Sequence, residues 1–249
     1  MGYLSTFTGR LQTLANLIEN PKLISLRRYG VHPKEFCSMN QPWLRSIEFA
    51  TIIDIGANKG QFAMTINAVF PQAQIYSFEP IPECFKDLIN CRKFIDNFTA
   101  FNFGLGDDSG DLEFEKNMFT ASSSFLKMAE VHKEAFPFTK DSKTINVKIE
   151  RLDNIVENLT LTEPLLIKID VQGYEDRVLQ GGMQTIKRAK LIIIETSFQK
   201  LYEEQPLFDN IYCQLKDWGF VYQGSFDQLY SPQNGKILQA NSCFVKGDN

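Results

Sequence analysis

Residues 51–60 read Thr51-Ile52-Ile53-Asp54-Ile55-Gly56-Ala57-Asn58-Lys59-Gly60, and Gln61-Phe62 follows. The first five are a β-branched run, too short for a buried helix and well suited to a buried strand. Two glycines then bracket a turn. Phe62, Ile66 and Val69 recur at helical spacing until Pro71, which marks the helix end. The phrase is strand, tight turn, helix. It recurs downstream. Ile75-Tyr76-Ser77-Phe78 is a second strand closed by Glu79-Pro80, and a helix is expected around 83–92. Thr99-Ala100-Phe101-Asn102-Phe103 is a third strand before Gly104-Leu105-Gly106. Strands alternating with helices predict a parallel sheet with right-handed crossovers.

The rhythm breaks over residues 107–163. Leu112–Glu115 and Ile145–Glu150 read as short strands around a polar, aromatic-rich stretch from Asn117 to Lys143. This is expected to be an insertion within the domain that forms part of a substrate cover. The sheet resumes at Leu165-Leu166-Ile167-Lys168-Ile169 and ends in Asp170. A helix follows from about Tyr174, interrupted at Gly181-Gly182. Leu191–Ile194 is another buried strand, ending in Glu195. Phe208–Lys216 reads as a helix, with Phe220–Gln223 and Ser242–Lys246 as closing strands. Residues 1–49 form a helical extension, on the spacing of Leu11, Leu14, Ala15, Leu17 and Ile18. The methyl-rich pattern from 50 to 249 is one domain.

The chain has 249 residues and a formal net charge of -4, with 43% hydrophobic and 22% charged residues. That composition is globular and gives no broad basic field for nucleic-acid phosphates. No run approaches the ~20 apolar residues that span a bilayer, and the first 22 residues lack the pattern of a secretory leader. A cytoplasmic location is expected. Five cysteines, Cys37, Cys84, Cys91, Cys213 and Cys243, include no CxxC pair, which fits scattered reduced thiols. His32 and His132 are the only histidines and form no metal signature; no metal site is expected.

The turn at Gly56-Ala57-Asn58-Lys59-Gly60 is neither a P-loop nor a GxGxxG fingerprint. Its glycines let the backbone approach a ligand, and the helix start adds free N–H groups. Glu79 lies 19 residues after Gly60, at the second strand's end. A carboxylate there accepts hydrogen bonds from vicinal ribose hydroxyls. NAD enzymes use the same placement, so these residues alone leave the nucleotide open.

The chain resembles the FkbM-type family of S-adenosylmethionine-dependent methyltransferases. The resemblance is carried by 53–62, by Phe78-Glu79-Pro80, by 102–106 (Asn102-Phe103-Gly104-Leu105-Gly106), by Arg151-Leu152-Asp153, by 166–175 (Leu166-Ile167-Lys168-Ile169-Asp170-Val171-Gln172-Gly173-Tyr174-Glu175) and by Ile194-Glu195. It covers roughly residues 45–245. It implies a class I, Rossmann-like α/β methyltransferase with a predominantly parallel seven-stranded sheet and flanking helices. It implies S-adenosyl-L-methionine as cofactor and S-adenosyl-L-homocysteine as product. Asp54, Gly56 and Asn58 are then expected on the methionine side, Glu79 at the ribose and Asn102 near the adenine. Gly60, Phe78, Pro80 and Gly104 are expected as further cofactor contacts. Ser123, or its neighbour Ser124, reaches in from the insertion, and Asp170 stands beside the methyl group. Position 172, often acidic in the family, is glutamine here, which weakens a carboxylate role there.

Methyl transfer needs in-line alignment of acceptor, methyl and sulfur, and a hydroxyl acceptor benefits from a base. Asp170 and Glu195, each expected just past a core strand, are the candidate catalytic acids; a helix-entry cap is the competing role for Asp170. Lys168 opposes its strand neighbours in direction and is placed to pair with Asp54 or Glu195 or to meet an anionic acceptor. Glu175 is expected to support the first turn of its helix, and Asp153 to anchor the insertion strand. The leading expectation is methylation of a hydroxyl on a small molecule or glycan, by a monomer or homodimer, with neither nucleic acid nor membrane span involved. An NAD-linked oxidoreductase and a non-catalytic cofactor-binding protein are the alternatives.

Overall fold

The continuous apolar runs of the sequence become strands covered on both faces. A computed structural model describes residue 31 and residues 33–117, 124–126, 129 and 142–247. The helix expected from Leu11 to Ile18, both histidines and Ser123 lie outside them. Two short helices come first, α1 (Pro33–Met39) and α2 (Pro42–Arg45). Strand β1 (Thr51–Ile55), helix α3 (Gln61–Val69), strand β2 (Gln74–Phe78), helix α4 (Pro82–Leu88) and strand β3 (Phe98–Phe101) follow. Next come β4 (Gly104–Leu105), β5 (Gly110–Asn117), β6 (Ser142–Glu150), α5 (Leu152–Ile155) and β7 (Leu165–Ile169). The chain continues through α6 (Glu175–Gly181), α7 (Met183–Ile186), β8 (Leu191–Ser197), α8 (Phe208–Asp217), β9 (Phe220–Tyr230) and β10 (Ile237–Lys246).

Seven strands make the main sheet, in the order β3-β2-β1-β7-β8-β10-β9. The first five neighbours are parallel. β10 is antiparallel to both β8 and β9. This is the mostly parallel class I arrangement that the resemblance implies. Strand order reverses between β1 and β7, and in open α/β sheets the crevice at such a reversal holds the ligand. The turn after β1 and the segment after β7 therefore meet at the expected place. A second sheet, β4-β6-β5, is built on the antiparallel pairing of Leu112 with Val147 and Phe114 with Ile145.

Alternation divides the core. Ile52, Leu166 and Ile193 pack on one face with Phe36, Met39 and Phe62. Ile53, Ile167, Ile169, Ile192 and Ile194 pack on the other with Val178, Leu215 and Phe244. Each such isoleucine contributes roughly 1.5–3 kcal/mol on burial. The described part of the N-terminal extension shares the first of these faces.

Several boundaries differ from those expected. The helix around 83–92 divides into α4 and a 3-10 turn at Ile89–Lys93. β3 ends at Phe101, leaving Asn102 and Phe103 in the following turn. β8 runs on to Ser197, so Glu195 lies inside a strand. The cause is β10, which pairs Asn241 with Glu195, Ala240 with Thr196 and Gln239 with Ser197. The polar end of β8 is tolerated because its hydroxyls are paired. Thr196 and Ser242 share a hydrogen bond at 2.6 Å, and Gln205 donates to Ser197 Oγ at 2.7 Å.

Candidate active site

Gly56 opens the turn after β1 with φ of +80°. A Cβ there would stand 1.9 Å from the carbonyl oxygen of Asp170, so only glycine lets the two loops touch. Asp170 N–H donates to Ile55 O at 3.0 Å, while Gly56 and Ala57 N–H donate to Phe78 O at 3.0 and 2.9 Å. The ends of β7, β1 and β2 are thereby joined. Gly60, at φ +90°, begins α3 directly over Cys91, whose sulfur a Cβ would approach to 2.4 Å.

Glu79 is 4% exposed. Its Oε2 accepts from Asn58 N–H and its Oε1 from Ile81 N–H, both at 2.8 Å. Burial pushes its carboxyl up to about 7, against the pull of those two donors. Asn102 donates its side-chain amide to Glu79 O at 2.9 Å and Pro80 O at 3.2 Å, so it shapes the turn that carries Glu79. Gly104 lies in β4, where a Cβ would meet Phe125 at 3.0 Å. The Phe78 side chain is fully buried and stacks on Phe101 at 4.9 Å. It belongs to the core, and only its carbonyl serves the turn.

Asp54 and Lys168 share the other face. Asp54 is 0% exposed, and its Oδ1 has no hydrogen-bond partner among the described residues. Lys168 Nζ stands 3.8 Å from that oxygen and 3.2 Å from Asp170 Oδ2. It also lies 5.4 Å above the Phe62 ring. Burial raises Asp54 to about 6, opposed chiefly by Lys168. Burial opposes the lysine charge too, but Asp170, Asp54 and Glu35 outweigh it and hold the ammonium above its usual range.

The two candidate catalytic acids are linked by a residue that sequence reasoning set aside. Gln172 Nε2 donates to Asp170 Oδ1 at 2.9 Å and to Glu195 Oε2 at 2.7 Å. Tyr202 donates its hydroxyl to Gln172 Oε1 at 3.1 Å, and Ser124 donates to the Gln172 carbonyl at 2.5 Å. Gln239 gives Glu195 a second donor at 2.8 Å. Burial, with Asp170 and Glu175 nearby, raises the Glu195 carboxyl well above the carboxylate range. Glu175 Oε1 accepts from Val171 and Gly173 N–H at 3.3 and 3.1 Å, bracing the Asp170 loop, and burial raises it to about 8. Asp153 caps α7, accepting from Gln184 and Thr185 N–H. Among the described residues no cluster of metal-ligating side chains occurs, and no helix is long and apolar enough to cross a membrane.

This arrangement offers a hydrogen-bonding acid beside a glycine turn, and a pair of bridged carboxylates at the strand reversal. The chain is similar in sequence to proteins of known kind. The model of the methyltransferase FkbM domain matches residues 54–222. The 2-O-methyltransferase NoeI of Sinorhizobium fredii is 29% identical over 62% of this chain and 66% of its own length. The hexuronic acid methyltransferase AglP of Haloferax volcanii is 28% identical over 68% and 67%. The chain thus spans about two thirds of these relatives. A crystal structure of a methyltransferase FkbM from Methylobacillus flagellatus gives a TM-score of 0.48 at 15% identity, covering 80% of this chain and 44% of that one.

Proposed function

The chain belongs to the FkbM family of methyltransferases, and from that premise we propose that it moves a methyl group from S-adenosyl-L-methionine to a hydroxyl of a small molecule or glycan. The observation that carries this reading is the bond from Asn58 N–H to Glu79 Oε2. It makes the glycine turn and the second-strand acid a single cradle. Each Glu79 oxygen accepts one N–H, which leaves a lone pair on each for the two ribose hydroxyls of the cofactor. The buried Asp54 Oδ1, which accepts no hydrogen bond among the described residues and has only the Lys168 ammonium 3.8 Å away, fits an amino group at the cofactor's other end. Bound there, the cofactor supplies a methyl group activated by its positively charged sulfur.

The chain's own residues do the rest. Asp170 receives the acceptor hydroxyl and takes its proton, while Glu195, whose buried carboxyl keeps its own proton, is an acceptor contact. Gln172 holds the two carboxyls in register. Lys168 fixes Asp170 Oδ2 and offsets negative charge at the site.

Two measurements test this. Calorimetric titration with S-adenosyl-L-homocysteine is expected to show one saturable site on the full chain. Incubation with methyl-labelled cofactor and a panel of sugars and hydroxylated small molecules is expected to label an oxygen. No uptake of the homocysteine product by folded protein would sink the proposal.

A further inference from the structure

The face of the sheet that bears Lys168 also floors a cavity of about 260 Å3. Helix α1 roofs it, and the rings of Phe62 and Phe226 flank it. Its floor is Ile193 and Asn241. Asn241 is paired across the sheet with Glu195, and Lys168 contacts Asp170, so one lining residue leads to each candidate catalytic acid. The volume lies below the roughly 300–1,000 Å3 of sites for drug-sized ligands, which suits a single ring.

The lining has a definite chemistry. Asn241 Oδ1 is buried without a hydrogen-bond partner among the described residues. Such an acceptor is costly to leave empty-handed, and a ligand hydroxyl donating to it removes the penalty. The charges, by contrast, are already matched. Lys34 pairs with Asp227 at 2.6 Å across the rim, and Lys168 pairs with Asp170 and Asp54. Lys34, Lys168, Glu35 and Asp227 in the wall sum to zero. No net positive charge is left over for an anion. Two phenylalanines and an unpaired amide oxygen in one lining match a ring that has apolar C–H faces and a hydroxylated edge.

We propose that this cavity is the acceptor site and that it selects a neutral, hydroxyl-bearing monosaccharide ring over the corresponding uronate. The inference rests on the methyl-transfer reading but makes a separate claim about where and what the acceptor is. Ligand-observed NMR on the full chain, with and without S-adenosyl-L-homocysteine, tests it with methyl hexopyranosides and their uronate counterparts. Neutral pyranosides are expected to bind about tenfold or more tightly than uronates. Phe226→Ala and Asn241→Leu are each expected to weaken pyranoside binding about fivefold or more, while the homocysteine product binds within about twofold of the parent. Circular dichroism reports whether each variant is folded, and Phe226, on the outer strand, is the safer of the two. Preference for uronates, absence of pyranoside binding, unchanged affinity in both folded variants, or weakened cofactor-product binding would each overturn the assignment. Pyranoside binding that survives these controls while the homocysteine product fails to bind upholds the sugar site and defeats the methyl-transfer reading instead.

Discussion

Asn58 N–H lies 2.8 Å from Glu79 Oε2, so two segments 21 residues apart in the chain are clasped into one surface. Asn58 reaches this position with φ of +48°, a left-handed conformation that asparagine tolerates better than most side chains. The same carboxyl also accepts from Ile81 N–H. Glu79 is therefore both a structural clasp and the proposed contact for a ribose.

Replacing Glu79 by Gln removes one acceptor, because the new amide nitrogen cannot receive an N–H. Either Asn58 or Ile81 loses its partner, at a cost of about 1–3 kcal/mol. The expected result is a folded protein whose affinity for S-adenosyl-L-homocysteine falls roughly tenfold or more, read by calorimetry.

Gly56→Ala acts through the backbone. The added methyl would meet Asp170 O at 1.9 Å while φ stays at +80°, and holding alanine in that region costs about 1–3 kcal/mol before any clash. A lower melting temperature and loss of cofactor-product binding are expected together. A variant that melts and binds like the parent would show that the β1 and β7 loops do not touch.

For the carboxyl pair, Asp170→Asn is expected to lower kcat about 100-fold or more with product affinity retained. Gln172→Glu places a third acid against Asp170 and Glu195, which now share its amide at 2.9 and 2.7 Å. The acid limb of the pH–rate profile should move to higher pH, with kcat reduced about tenfold. Gln172→Met removes the bridge without adding charge and should lower kcat without that displacement.

Buried acids set a pH dependence of stability, Glu195 and three others among them. Asp54, Glu79 and Glu175 are raised by burial to about 6, 7 and 8. Each keeps its proton in the fold at a pH where the unfolded chain has released it. Their contribution is complete below the ordinary carboxyl values of 3.8 and 4.5 and is lost as pH rises through 6 to 8. The melting temperature of cofactor-free protein is expected to fall between about pH 5 and 9. Glu175→Gln should flatten the upper part of that fall, and a melting temperature that climbs over the range would contradict the assignment.

The glycine turn, the five parallel strands and the position of Asp170 just past β7 are legible from local pattern, because each carries its signal within a few residues. Glu195 was placed past its strand because the polar Glu195-Thr196-Ser197 breaks an apolar run. Only the ladder with Gln239, Ala240 and Asn241 keeps it extended. Phe78 is expected as a cofactor contact from the Phe78-Glu79-Pro80 stretch of the resemblance, yet strand alternation turns its ring into the core beside Phe101. Gln172 was discounted as a missing carboxylate. Its value is that an amide gives two donors where a carboxylate gives none, and that depends on what lies across the site. Tyr202 and Gln239 likewise join the cluster from residues 30 and 44 positions away from their partners, a separation that no local pattern encodes.

Strand β10 lies between β8 and β9 in space but follows both in the chain. β9 has no place in the sheet until residues 237–246 have slotted in, so assembly along this flank runs against the order of synthesis. Until then Leu191–Ser197 is an open, largely apolar border with unpaired backbone groups. A molecule clipped before residue 237 would offer that border to any neighbouring chain, and its first failing would be clumping, ahead of any lost chemistry.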